Sequence, residues 1–199
     1  MDPLKLQEQT RFLVRQRLRL MVNQYEVHTE APDGSEGELA AFAQQKRMAF
    51  KEQVTLYADT DKQRPIIGFK ARKRIDLASA YDITDEVGRP IGLFRKDFKR
   101  SLVSSTWHLE QPGRGVTTGT ERNKAVAILR RVWNVIPFVD SLPFAWPYHF
   151  DFFTGDQPAF SVEKKFALRD RYVVDIKDPS LDRRLVIAQA VALDALQSR

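Results

Sequence analysis

From Arg11 to Val27 the chain alternates between apolar and polar positions. Phe12, Val14, Leu18, Leu20 and Val22 fall on one side of an extended chain and Arg11, Arg15, Arg17 and Arg19 on the other, so a half-buried strand with a basic outer face is predicted. His28 to Gly37 (HTEAPDGSEG) has loop composition, and Glu38 to Lys51 places Leu39, Phe42, Ala43 and Phe50 at helical spacing. A unit of hydrophobic strand, Asp-containing turn, second strand and basic doublet then recurs. It occurs at Val54 to Lys73, at Ala80 to Phe98 and at His149 to Phe166. Each copy reads as a β-hairpin, because Asp61, Asp85 with Gly88, and Gly155 with Asp156 supply the side chains and backbone freedom that reverse a chain between period-two runs. Further strands are expected at Leu77 to Ile83, Ser101 to Glu110 and Arg171 to Ile176.

Leu181 to Ser198 has a different pattern. Its stretch from Leu185 to Leu196 is apolar on every face, interrupted only by Gln189 and Asp194. Such a helix is about 18 Å long, short of the roughly 30 Å of a bilayer core. A helix apolar all round has to be wrapped by its own chain, and here the wrapping material is β-structure. The expected fold is mainly β: a closed antiparallel barrel around a central C-terminal helix, with Leu185, Ile187, Val191, Leu193 and Leu196 as its structural core. Gln189 and Asp194 lie about 140° apart on the helix, so they cannot share one solvated stripe. Each should find a hydrogen-bond partner or reach an open barrel end.

Between the second and third hairpins the pattern breaks. Gln111 to Gly119 reads as a loop and Glu121 to Val135 as a basic amphipathic helix; Pro137 to Tyr148 concentrates aromatics and prolines, which excludes a regular helix. The organisation expected is one domain over 1–199. First strands and hairpins occupy 11–110, a helical and Pro-aromatic insertion 111–147, last strands 148–177 and the central helix 181–198.

Composition narrows the chemistry. Without cysteine there are no disulfides, thiolate nucleophiles or cysteine metal sites. The N-terminus lacks the basic start and apolar run of a signal peptide, and no apolar run is long enough for a transmembrane segment, so a soluble cytoplasmic monomer is expected, with peripheral membrane attachment open to it. His28, His108 and His149 have no spacing that would put two ligands on one helix face. Asp59-x-Asp61 starts like a calcium loop but lacks the glycine and distal Glu, and reads as a hairpin turn. Gly113-Arg114-Gly115 has no P-loop context, and no Gly-x-Ser-x-Gly elbow occurs. No catalytic residue, metal ligand or cofactor is nominated, and the chain is read as a non-enzyme.

Binding signals are stronger. A net charge of +6 can draw phosphates. The doublets Arg72-Lys73, Arg95-Lys96 and Lys164-Lys165, with Arg15, Arg17 and Arg19, would make an anion-attracting surface if neighbouring strands aligned them. The contrary expectation is that they coat a solvated exterior and pair with acids such as Asp97, Glu163 and Asp170. In the insertion, Lys124, Arg130 and Arg131 could meet anionic headgroups while Trp133, Phe138, Phe144 and Trp146 enter the membrane interface. Against that stands the common fate of an apolar helix face, which is to pack on its own domain.

Val162 to Tyr172 (VEKKFALRDRY) and Asp182 to Leu196 (DRRLVIAQAVALDAL), with the Arg-rich opening strand and the strand-turn-strand units, resemble the LURP-one-related proteins. These are tubby C-terminal-like proteins, a superfamily that also holds the phospholipid scramblases; the likeness is greatest to uncharacterised bacterial members. The resemblance implies a closed barrel of about twelve strands around a hydrophobic helix, and a link to phosphoinositides through the tubby proteins. No tubby lipid-binding position carries over residue by residue. The scramblases' cysteine-rich and calcium-binding segments have no counterpart in this chain, and the 111–147 insertion departs from the compact bacterial pattern. The function expected is a binding module for anionic lipid or another phosphorylated ligand. A protein-interaction barrel is the alternative. Nucleic acid is a weaker one, since aromatics are not interleaved with the basic strands.

Overall fold

The computed structural model describes residues 1–18, 22–46, 53–72, 80–97, 105–122, 149–165 and 171–197. Twelve strands form one closed antiparallel barrel: β1 (Arg11–Leu18), β2 (Val22–Glu30), β3 (Glu36–Lys46), β4 (Gln53–Tyr57), β5 (Pro65–Ala71), β6 (Ala80–Asp85), β7 (Pro90–Asp97), β8 (Thr106–Glu110), β9 (Thr117–Glu121), β10 (His149–Thr154), β11 (Gln157–Lys165) and β12 (Arg171–Ile176). Each pairs with its neighbours in sequence, and β12 closes on β1 with Phe12 opposite Val174. Closure leaves no strand edge exposed.

The three predicted hairpins are present as β4–β5, β6–β7 and β10–β11. Their turns work as side-chain chemistry requires. The Asp85 carboxylate accepts from the amides of Val87 and Arg89 at 3.1 and 2.7 Å, and Gly88 takes a φ of 85°, a conformation that costs glycine little. In the first hairpin the carboxylate that accepts from the amides of Gln63 and Arg64, at 3.0 and 3.1 Å, is that of Asp59 and not of the expected Asp61.

Three expectations are overturned. The run from Arg11 to Val27 is two strands, because the inward phase changes from the even residues Phe12 and Val14 to the odd residues Tyr25 and Val27 across a reversal. The helix expected over 38–51 is the strand β3 as far as Lys46, and 47–51 lie outside the described residues; pairing with β2 over Val22–Glu30 overrides the local helical spacing. The loop expected over 111–119 gives way at Thr117 to β9, whose sequence Thr-Thr-Gly-Thr-Glu carries no apolar side chain and takes in Glu121, the first residue of the expected helix, while 123–135 of that helix lie outside the described residues. β9 is nevertheless paired on both sides, with β8 and β10. Gly119 is required there: a Cβ would lie 2.2 Å from the Phe152 ring.

Two helices are described besides the strands. α1 (Pro3–Glu8) is capped by Asp2, whose carboxylate accepts from the Leu4 amide at 2.8 Å, and it buries Leu6. α2 (Arg183–Gln197) is the expected axle: Leu185, Val186, Ile187, Ala188, Val191, Ala192 and Leu193 are all at most 2% exposed, so every face meets the barrel lining. Leu185, Ile187, Val191 and Leu193 are core as expected, whereas the side chain of Leu196 lies outside the described residues. Leu185 fits against Gly92 of β7, where a Cβ would come within 2.9 Å of it. No helix among the described residues is long and apolar enough to cross a membrane.

The two polar residues of α2 meet different fates. Asp194 accepts hydrogen bonds from the hydroxyl of Tyr25, at 2.7 Å, and from that of Tyr172; Gln16 donates to the Tyr25 hydroxyl at 3.0 Å. These residues lie on β2, β12 and β1, so the carboxylate ties the helix to the seam where the barrel closes. Gln189 is fully buried, and among the described residues neither polar atom of its side-chain amide has a hydrogen-bond partner.

Candidate functional site

Alternation on a strand sends consecutive side chains to opposite faces, so a basic doublet within a strand cannot present both charges outward. Arg95 is outward and pairs with Glu110 at 3.2 Å, while Lys96 shares the inward phase of Phe94 and lies 5.6 Å from the ring centre of Trp107. Lys165 pairs outward with Glu163 at 2.9 Å, while Lys164 follows the inward phase of Val162 and lies 5.4 Å from the Tyr172 ring. Arg72, just beyond β5, is bonded to Asp82 through Nε at 2.9 and 2.8 Å and through Nη2, and this hydrogen bonding raises its pKa. Arg15 pairs with Glu36, and Arg17 with Glu26 at 3.0 Å. The predicted wall cations are therefore neutralised strand by strand or turned inward, and they do not converge on one site. Arg19, Lys73, Lys124, Arg130, Arg131, Trp133, Phe138, Phe144 and Trp146 lie outside the described residues.

Charge is distributed by end rather than by wall. In an antiparallel meander successive connections alternate between the two barrel ends. The strand ends that flank 19–21, 47–52, 73–79, 98–104, 123–148 and 166–170 all belong to one end, and those flanking 31–35, 58–64, 86–89, 111–116 and 155–156, with the lead into α2, to the other. The first group of stretches holds eleven Lys and Arg against four acids. The described residues as a whole hold 20 of the chain's 32 Lys and Arg and 22 of its 26 acids, a net charge of −2. The positive excess of the chain is thus carried by stretches tethered to a single rim.

A concave feature lies on the outer wall among the described residues. Strands β10, β11 and β12 flank a groove of about 350 Å³, bounded at the ends by Arg122 and Arg11. At one end the Arg122 guanidinium grips Asp151 through Nε and Nη2 at 2.6 and 2.7 Å, and His149 Nε2 stands 3.1 Å from the same carboxylate. Burial alone would raise the Asp151 carboxyl, but bonding to Arg122 and the charge of the neighbouring His149 hold it below its ordinary value. The Arg122 guanidinium is raised in turn, by the Asp151 bond above all. The groove escaped sequence reasoning because its residues come from five elements and share no motif.

At the opposite end of the barrel from the basic rim, Arg183 is 2% exposed. It donates through Nε to the Gln9 carbonyl at 2.7 Å and through Nη1 to the carbonyls of Pro179 and Leu181 at 3.0 and 2.7 Å. Desolvation lowers its pKa. This arginine fastens the start of α2 to the N-terminal segment and has a structural task.

The profile of the LURP-one-related proteins matches residues 39–194, from β3 to the buried aspartate of α2. The chain belongs to the LURP-one-related family. The two stretches that carried the resemblance, 162–172 and 182–196, meet in the Tyr172–Asp194 hydrogen bond. Curated proteins yield no significant match to this LURP-one-related chain. Three or more His, Asp or Glu side chains arranged to hold a metal ion do not occur among its described residues.

Proposed function

We propose that this LURP-one-related protein is a non-enzymatic binding module that meets anionic headgroups, phosphoinositide-like or otherwise phosphorylated, with one rim of its barrel. The observation that carries the reading is the partition of charge: described residues with a net charge of −2, and stretches joining the strand ends of one barrel end with eleven Lys and Arg against four acids. Charges gathered at one end add their potentials, whereas ion pairs on a wall cancel theirs. Arg122 and His149, which flank the basic and aromatic 123–148 stretch in sequence, lie at that same end of the barrel.

Co-sedimentation with vesicles tests this. Binding is expected to anionic vesicles and not to neutral ones, and to fall with rising salt. Reversal of Lys124, Arg130 and Arg131 to Glu should abolish most of it, whereas Arg95→Gln on the wall should leave it unchanged. Equal loss from both variants, or no binding at low salt, overturns the reading.

A further inference from the structure

We infer that the groove over β10–β12 is a binding site for a small bipolar molecule, one that carries an acidic group and an amine several bonds apart on an aliphatic spine. The groove reaches the basic rim at Arg122 and His149, but the inference does not rest on the cations of that rim's connecting stretches.

Depth is the first argument. The carboxylates lie low, Asp151 at 21%, Asp175 at 36% and Glu163 at 38% side-chain exposure, whereas the cations at the lip, Arg11, Lys177 and Arg122, are at 46%, 58% and 60%. Three positive and three negative charges give a neutral groove, which favours neither a simple anion nor a simple cation.

Unfilled bonding capacity is the second. Among the described residues Arg122 commits Nε and Nη2 to Asp151 and leaves Nη1, and Arg11 makes no side-chain hydrogen bond, its ion pair being Nε with Glu30 at 3.4 Å. Glu163 and Asp175 have ion pairs with Lys165 and Lys177 at 2.9 and 2.7 Å, and neither carboxylate accepts a hydrogen bond of good geometry among the described residues. The registers set Asp151 opposite Ser161, and Ser161 opposite Asp175, which puts a hydroxyl with no described partner at mid-floor. Donors at the lip would take an acidic group, and acceptors on the floor an amine.

The third argument is the spine. Val173 lies on the floor beside Glu163, and Phe153 is 39% exposed at the bulge where it faces Pro158. An aliphatic chain laid over Val173 removes apolar surface from water while its two ends find opposite charges. Neighbouring strands are about 4.8 Å apart, so an acidic group at Arg122 and an amine at Glu163 or Asp175 are separated by a spine of about four to six bonds.

Titration of the full-length protein with 6-aminohexanoate, followed by backbone amide shifts, is the experiment. Saturable shifts confined to β10–β12 are expected, with hexanoate and hexylamine binding at least about tenfold more weakly, since each lacks one charge-assisted contact. Glu163→Gln and Arg122→Gln should each lower affinity about tenfold while the rest of the amide spectrum stays native. A variant whose spectrum collapses is replaced by Glu163→Ala or Arg122→Lys, where weakened binding is again required. Shifts that do not saturate, equal binding of the single-charge analogues, or unchanged affinity in folded variants overturns the inference.

Discussion

Asp194 is an acid within a largely apolar helix, and hydroxyls from Tyr25 and Tyr172 reach it and offset its cost. Asp194→Ala leaves both hydroxyls buried, and Tyr172→Phe removes one bond to a charged acceptor. In urea unfolding we expect a loss of about 3 kcal/mol from the first and about 1.5–3 kcal/mol from the second. Gln189 stands on the opposite side of the account: fully buried and, among the described residues, unpaired, it is replaceable. Gln189→Leu should raise stability by about 1–3 kcal/mol, and a fall would reveal a polar partner that the amide requires. That Asp194 needs partners is legible in the sequence, since an acid in an apolar helix is costly alone. Which residues supply them is not, because Tyr25 is 169 positions away and only barrel closure brings it near.

The elements divide by how much local chemistry they contain. The hairpins β4–β5, β6–β7 and β10–β11 announce themselves through Asp and Gly turns between period-two runs. β9 is silent, because its pairing and its Gly119 serve Phe152 of a strand beyond a long intervening stretch. β3 misleads, since Leu39, Phe42 and Ala43 fit either period and pairing with β2 decides. The start of α2 has its own pH sensitivity. Burial would raise the carboxyls of Asp178 and Asp182, but bonds from Ser180 to the first and from Arg184 and Gln7 to the second lower both below the ordinary 3.8. A lowered folded pKa stabilises above the unfolded value and loses that contribution as pH falls through the folded one. Stability should therefore hold from neutral pH to about 4 and decline below it, and Asp182→Asn should flatten that acid limb in thermal melts recorded across pH.

For the whole molecule, the barrel and its helix are one cooperative object. The lining residues Phe12, Tyr25, Phe94, Phe150 and Val174 are at most 0% exposed only because α2 fills the space between them. A chain ending before Arg183 should lose the near-ultraviolet circular dichroism of a fixed core and unfold without a sigmoidal transition. Closure of β1 on β12 joins strands about 160 residues apart, so folding should also be slow for a chain of this size.

By itself the sequence determined that a helix apolar on every face must be enclosed, that turn-forming Asp and Gly would cut the chain into hairpins, and which family the strand and helix signatures belong to. These are properties of local periodicity and residue chemistry, and they survive without coordinates. Tertiary structure alone decided that the basic doublets split between inner and outer faces, that Asp194 bonds across the barrel seam, and that Arg122, Ser161, Glu163 and Asp175 share one groove. Strand register and closure set those relations, and register is a sum over many distant pairings that no single stretch of chain contains.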